Sequence, residues 1–269
     1  MIDVLAANQA WLWLGGSLLL AVLWSNVAWH FRKPRPGRLG ETVHRLETGR
    51  FSPWLHQGLQ LIYYVGIPYA AFILGRDALV ERYLGIRVAG LDESAWLVWM
   101  RDLAWAVSLS GGTCSLLAIG WAVYRKAAGV RHPPAQPLFY PPIDTWSYLI
   151  PAIYHEIHWT FYRNAPIVGL GTYWGVWIGL ALAGVEAALN PAWRHGLRHR
   201  NQAPALLMRW SMAILSALLF LKTGNLWLTL ASHWLVSWGL AALTRALPIG
   251  GARSEEGLPQ SPRAPSPGR

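Results

Sequence analysis

A single cysteine, Cys114, in 269 residues excludes an intramolecular disulfide and any metal site assembled from several thiolates. Charge is also scarce, at 13% of residues against 54% hydrophobic ones. Only 13 side chains are acidic, so the formal net charge is +10 at pH 7. Such an excess can mark a nucleic-acid binder, but no zinc-finger, RNA-recognition or basic-zipper pattern accompanies it. The stretch from Met1 to Leu14 has no basic segment ahead of its apolar run, and no small-residue cleavage signature follows. The first apolar segment is therefore expected to stay as an anchor. No internal repeat is found.

What the chain does have is apolar residues in blocks of about 20, the length a helix needs to cross a bilayer core of roughly 30 Å. Spans are expected near residues 10–30, 54–75, 103–124, 146–164, 167–189, 206–222 and 225–246. This predicts an all-α polytopic transmembrane bundle of about seven helices. Many of the 18 tryptophans, among them Trp11, Trp29, Trp54, Trp146 and Trp227, stand near block ends. There an indole buries its ring and keeps its N–H wet.

The positive charge sits in the connections "FRKPRPGR", "YRKAAGVRH" and "RHGLRHRN" and in the tail. Placing the N-terminus outside puts nearly all Lys and Arg on the inner side, leaving Arg76, Arg82, Arg87, Arg101 and Lys222 outside. The expected location is thus an integral membrane protein with N-terminus out and C-terminus in, its partners membrane lipids and not nucleic acid. Residues 76–102 read as a loop with a short interfacial helix, "RHPPAQPLFYPPID" as a proline-rich tether and residues 247–269 as a disordered tail. Three regions follow: N-terminal spans over 1–145, a core over 146–246 and the tail.

Ionisable residues inside a bilayer are costly and usually face a partner or a water-filled cavity. "YHEIHWTFYRNAP" holds four of them. At about 100° per residue Glu156, Trp159 and Arg163 share one stripe, with His155 and His158 on its flank. The HEIH order is not a zinc-protease HExxH. Glu186 and Asn190 lie one turn apart in "GVEAALNP". His233 lies about 12 Å from the outer end of its span, and His158 about 18 Å from the inner end of its own, so the two histidines share a depth. One reading is a divalent metal site, zinc for instance, held by His158, Glu186 and His233, with Glu156 as general base for a bound water. The plainer reading pairs Glu156 with Arg163 as a structural ion pair and makes each histidine a hydrogen-bonded interhelical contact. Paired halves or broken helices typical of transporters are not seen.

The run "MAILSALLFLKTGNLWLTLASHWLVSW" resembles the C-terminal signature of the CAAX protease and bacteriocin-processing (CPBP) family of intramembrane endopeptidases: a helix, a "TGSLW"-type turn, then His followed four residues later by Asn. His233 takes the His position and Ser237 the Asn position. "HWTFYRN" is similar to the family's first motif, with Arg163 matching its arginine and His158 and Trp159 standing where its two glutamates belong. The second motif, Phe-x-x-x-His, falls on Glu186 and Asn190. The resemblance covers about residues 146–246. It implies a CAAX-protease-like core in a bacterial cytoplasmic membrane and hydrolysis of a hydrophobic or lipid-anchored peptide, with Glu156, Arg163 and His233 in catalytic roles and Asn190 and Ser237 supporting them. The exchanged motif residues leave two outcomes: compensating ligand exchange, or a protease-like scaffold or immunity protein without catalysis that binds a membrane-protein partner.

Overall fold

The computed structural model describes residues 2–31, 41, 45, 49–50, 52–74, 93–129, 146–200 and 202–246. The expected proline-rich tether and the tail lie outside these residues, as does most of the 76–102 segment. Its last ten positions are not loop: they open a long helix, because "ESAWLVWMRDLAW" contains no residue that would stop one.

All regular structure among the described residues is helical. Helix α1 covers Ile2–Phe31. A second segment begins as α2, Ser52–Leu61, passes through a π-helical turn at Ile62–Gly66 and ends as α3, Ile67–Leu74. Helix α4 is Glu93–Gly129, α5 Trp146–Leu189, α6 the short Pro191–Arg198, α7 Ala203–Thr223 and α8 Leu226–Ala246. Five of these, in α1, α4, α5, α7 and α8, are long and apolar enough to cross a membrane.

Helix α5 is two helices rather than one. Its 44 residues would extend about 66 Å if straight. Gly171 adopts φ 79° and ψ 167°, outside helical space and in a region open to glycine. The chain reverses there. A Cβ at Gly175 would stand 2.5 Å from the Ile167 Cα, and one at Gly179 would stand 2.8 Å from the Arg163 Cα. Residues 163 and 179 would be about 24 Å apart on a continuous helix. Glycine is thus what lets the two arms touch backbone to backbone, and the arms correspond to the two separate spans expected from the sequence.

Helices α7 and α8 are joined by "TGN". Gly224, at φ 58°, ends α7, and its N–H donates to the Phe220 carbonyl at 2.7 Å. The Asn225 side chain then accepts from the Trp227 and Leu228 amides and so starts α8. Helix α4 packs on α7 and α8, while α1 and α3 lie against α5. Following the chain, residues 31, 52, 129, 146, 190–200, 202 and 246 fall at one end of the bundle. Arg125, Lys126, Arg194, Arg198 and Arg200 stand at that end, which makes it the basic end.

The distribution of polarity is the reverse of a water-soluble protein's. Leu19, Leu20 and Trp24 on α1, Leu103, Val107 and Leu116 on α4, and Trp227 and Leu235 on α8 are exposed. Glu156, His158, Arg163, Asn164, Ser216, Asn225 and His233 are buried. An apolar exterior around an ionisable interior suggests a membrane protein.

Candidate functional site

The buried polar residues form two networks, one on either side of the first arm of α5. In the first, Glu156 is 1% exposed and uses both carboxylate oxygens. Oε1 lies 3.0 Å from His233 Nδ1 of α8, and Oε2 accepts from the Ser216 hydroxyl of α7 at 2.6 Å. Arg163 Nη2 donates to the same Ser216 oxygen at 2.6 Å and lies 3.8 Å from Glu156 Oε2. The guanidinium also covers the Phe220 ring at 5.0 Å. Glu156 and Arg163 are seven residues apart, so two helical turns bring them to one face, as expected. Ser216 fills the remaining gap between carboxylate and guanidinium. Stacking completes the enclosure: the His233 ring lies 5.4 Å from Trp159 at an interplanar angle of 7°, and His155 lies 5.8 Å from His233. Ser237, one turn beyond His233, is also buried.

The second network spans the α5 hairpin. His158 Nε2 lies 3.0 Å from Glu186 Oε2. Tyr63, in the π-helical turn, donates its hydroxyl to Glu186 Oε1 at 3.0 Å and stands 3.4 Å from the Tyr162 hydroxyl. Tyr64 presents its ring to His158 at 5.1 Å and stacks on Tyr154 at 6.0 Å and 4°. Neighbouring residues on a regular helix point about 100° apart. The wider turn, in which the Ile67 N–H donates to the Ile62 carbonyl, lets both tyrosines reach the second network. Its cause is Pro68, which lacks the N–H that would bond the Tyr64 carbonyl. Both Glu186 oxygens are thereby occupied. The carboxylate accepts from Nε2–H, which fixes the His158 tautomer and leaves Nδ1 as the acceptor. Nδ1 is buried and has no hydrogen-bond partner.

A cavity of about 100 Å³ adjoins this second network. His155, His158, Trp159, Glu186, Asn190 and Arg209 are on its wall, which Trp193 of α6 extends toward the basic end. At roughly 30 Å³ per liquid water the space admits about three waters. Neither Glu156 nor His233 lines it.

These positions revise the expected site in detail. His158 meets Glu186, but His233 pairs with Glu156 and stacks on His155 instead of joining His158. The expected ligand set of His158, Glu186 and His233 is divided between two networks. Among the described residues no group of three or more His, Cys, Asp or Glu is placed to hold a metal ion. Asn190 caps α6, its Oδ1 accepting from the Ala192 amide at 2.9 Å and the Trp193 amide at 3.4 Å, while it also lines the cavity. Tyr63, Tyr64, Ser216 and Arg209 were not legible as site residues. The one available signal was the pair of tyrosines just ahead of a proline in an apolar span.

Compared with protein-family models, curated proteins and solved structures, the chain matches none.

Proposed function

We propose that this chain is an integral membrane hydrolase that cleaves a peptide bond of a hydrophobic or lipid-anchored substrate at the cavity between the α5 hairpin and α7. One observation carries the reading. A carboxylate-oriented imidazole lines a polar cavity large enough for water, with one ring nitrogen unpartnered. This is the relationship between acid, histidine and reactant that makes an imidazole an effective base. Once cavity water reaches His158 Nδ1, which is buried in the resting structure, this nitrogen takes a proton from it as the oxygen adds to the carbonyl carbon. Glu186 stabilises the resulting imidazolium, and Arg209 on the cavity wall faces the developing oxyanion. The imidazolium then gives its proton to the departing amine as the C–N bond breaks.

In this reading Glu156 and His233 do not act on water. Their network is buried and links α5, α7 and α8, with Arg163 Nη1 left without a hydrogen-bond partner. The CAAX-protease-like core implied by the sequence remains part of the proposal, with His158 where that family has a glutamate and Glu186 at the phenylalanine position of its second motif. The basic end faces the cytoplasm, following the charge bias.

The complete burial of the Glu156, Arg163, Ser216 and His233 network favours a second reading, a protease-like scaffold or immunity protein that never hydrolyses anything. One experiment separates the two. The purified chain is reconstituted in liposomes with a library of hydrophobic peptides, and products are read by mass spectrometry. Wild type is expected to cleave with chelator present or absent. Glu186→Gln and His158→Gln are each expected to lose activity by about 100-fold or more, the range of general acid–base contributions. Cleavage that persists in both variants removes the His–Glu mechanism, and the absence of any product from wild type favours the scaffold.

A further inference from the structure

A second, larger cleft of about 430 Å³ lies between α4, α7 and α8, on the side of α7 away from the polar cavity. Leu206 lines one and Leu207 the other, so α7 is the partition. The volume falls within the roughly 300–1,000 Å³ typical of ligand sites. Its walls are apolar: Leu116, Gly120, Trp121, Leu207, Met208 and Leu240. From Leu116 to Tyr124 it follows α4 for about 12 Å along the bundle axis. Polar side chains gather at the basic end, where Tyr124, Arg198, Arg200 and Thr244 line it.

Those two arginines are exposed, and neither has an acidic partner among the described residues. The buried or half-buried acids among the described residues are already engaged, Glu156 by Arg163 and His233, Glu186 by His158 and Asp102 by Arg101. The Tyr124 hydroxyl donates to the Arg200 carbonyl at 2.9 Å and so ties the arginine-bearing turn to α4. Arg194 on α6 adds to the same positive surface. An elongated apolar slot flanked at one end by two guanidinium groups without acidic partners among the described residues is complementary to an amphiphile with an anionic head. A free polar anion would leave the slot unfilled, and an uncharged lipid would leave the arginines unpaired.

We propose that this cleft binds an anionic phospholipid, with an acyl chain along α4 between α7 and α8 and the phosphate paired with Arg198 and Arg200. The site is separate from the hydrolytic cavity, and binding does not depend on catalysis.

Native mass spectrometry of the full chain tests the assignment, after exchange into detergent containing phosphatidylglycerol, phosphatidylcholine or inorganic phosphate. Wild type is expected to retain phosphatidylglycerol with about tenfold preference over phosphatidylcholine, a difference in affinity that two lost ion pairs would erase. Arg198→Gln with Arg200→Gln should reduce phosphatidylglycerol to the phosphatidylcholine level. A Cβ added at Gly120 would meet no atom within 4 Å, so Gly120→Phe projects into the slot without striking backbone and should expel lipid. Circular dichroism and size-exclusion profiles matching wild type establish that both variants are folded. Equal retention of the two lipids by wild type, or unchanged phosphatidylglycerol in either folded variant, overturns the proposal. So does inorganic phosphate bound equally well by wild type and Gly120→Phe when no lipid is retained. Lipid binding that appears only after deletion of residues 247–269 makes the tail the occupant and also overturns it.

Discussion

The His158 and Glu186 side chains lie 3.0 Å apart, although 28 residues separate them, because the chain reverses at Gly171. The hairpin therefore does more than shorten the bundle. It places an acid from its descending arm beside an imidazole from its ascending arm, and the π-helical turn adds Tyr63 from a third element. Tyr63 touches the orienting carboxylate and reaches the imidazole only at 3.5 Å.

In the proposed mechanism that arrangement makes Tyr63 a positioning residue. Tyr63→Phe removes the hydroxyl donated to Glu186 Oε1 and is expected to lower stability by about 1 kcal/mol, the usual net worth of a hydrogen bond. It should also lower kcat for peptide cleavage by about tenfold with little change in KM, because the carboxylate loses its fixed orientation rather than its charge. A purely structural tyrosine would lower the unfolding midpoint and leave kcat at permissive temperature untouched. Steady-state kinetics beside thermal unfolding in detergent distinguishes the two roles.

The hairpin makes a sharper demand on stability. At Gly175 and Gly179 an added methyl group meets Ile167 and Arg163 backbone at 2.5 and 2.8 Å, and backbone does not yield as a side-chain tip does. Gly175→Ala and Gly179→Ala should each destabilise by about 1–3 kcal/mol or more, as overpacked positions do. Gly112, in the interior of α4, has no atom within 4 Å of its Cβ position. Gly112→Ala should gain a few tenths to about 1 kcal/mol from helix propensity. Unfolding titrations of the three variants decide the matter, and an equal response at all three positions would contradict the close approach of the two arms.

Much of the architecture was legible because apolar block length reports spans directly. The two arms of α5 were expected as separate helices over 146–164 and 167–189, although the chain reverses at Gly171 and not at 165–166. Heptad spacing likewise placed Glu156 and Arg163 on one face. Partner choice between helices was not legible. Depth arithmetic puts His158 and His233 at one level but says nothing about rotation around the bundle axis, and it is rotation that gives His233 to Glu156 and His158 to Glu186. Ser216 escaped notice for a different reason. A lone serine in "MAILSALLFL" carries no spacing signal, and its role arises only from the two charged groups that another helix brings to it.

The buried network predicts strong coupling. Removing one member of a buried ion pair leaves the other uncompensated, at a cost of about 3–5 kcal/mol, whereas replacing both with apolar groups of similar volume is often tolerated. Glu156→Leu and Arg163→Met should each be severely destabilising, and the double variant should recover much of the loss. A double-mutant cycle from chemical unfolding measures this directly. Additive effects of the two substitutions would argue that the 3.8 Å contact contributes little and that Ser216 and His233 alone satisfy Glu156.

Asn190 allows the structural and chemical accounts to be separated at a single position. Its side chain caps α6 through the Ala192 and Trp193 amides, and it also lines the polar cavity. Loss of such a cap costs about 0.5–2 kcal/mol, while serine, another good N-cap, restores most of it. If capping is its whole contribution, Asn190→Ala lowers the unfolding midpoint, Asn190→Ser restores it, and peptide cleavage per folded molecule is the same in all three proteins. The geometry favours that result, because the Asn190 oxygen is committed to two backbone donors and only its amide nitrogen remains for a substrate. A cleavage rate that falls about tenfold in both variants, including the serine variant with its midpoint restored, would instead assign that nitrogen to the stabilisation of a reacting group.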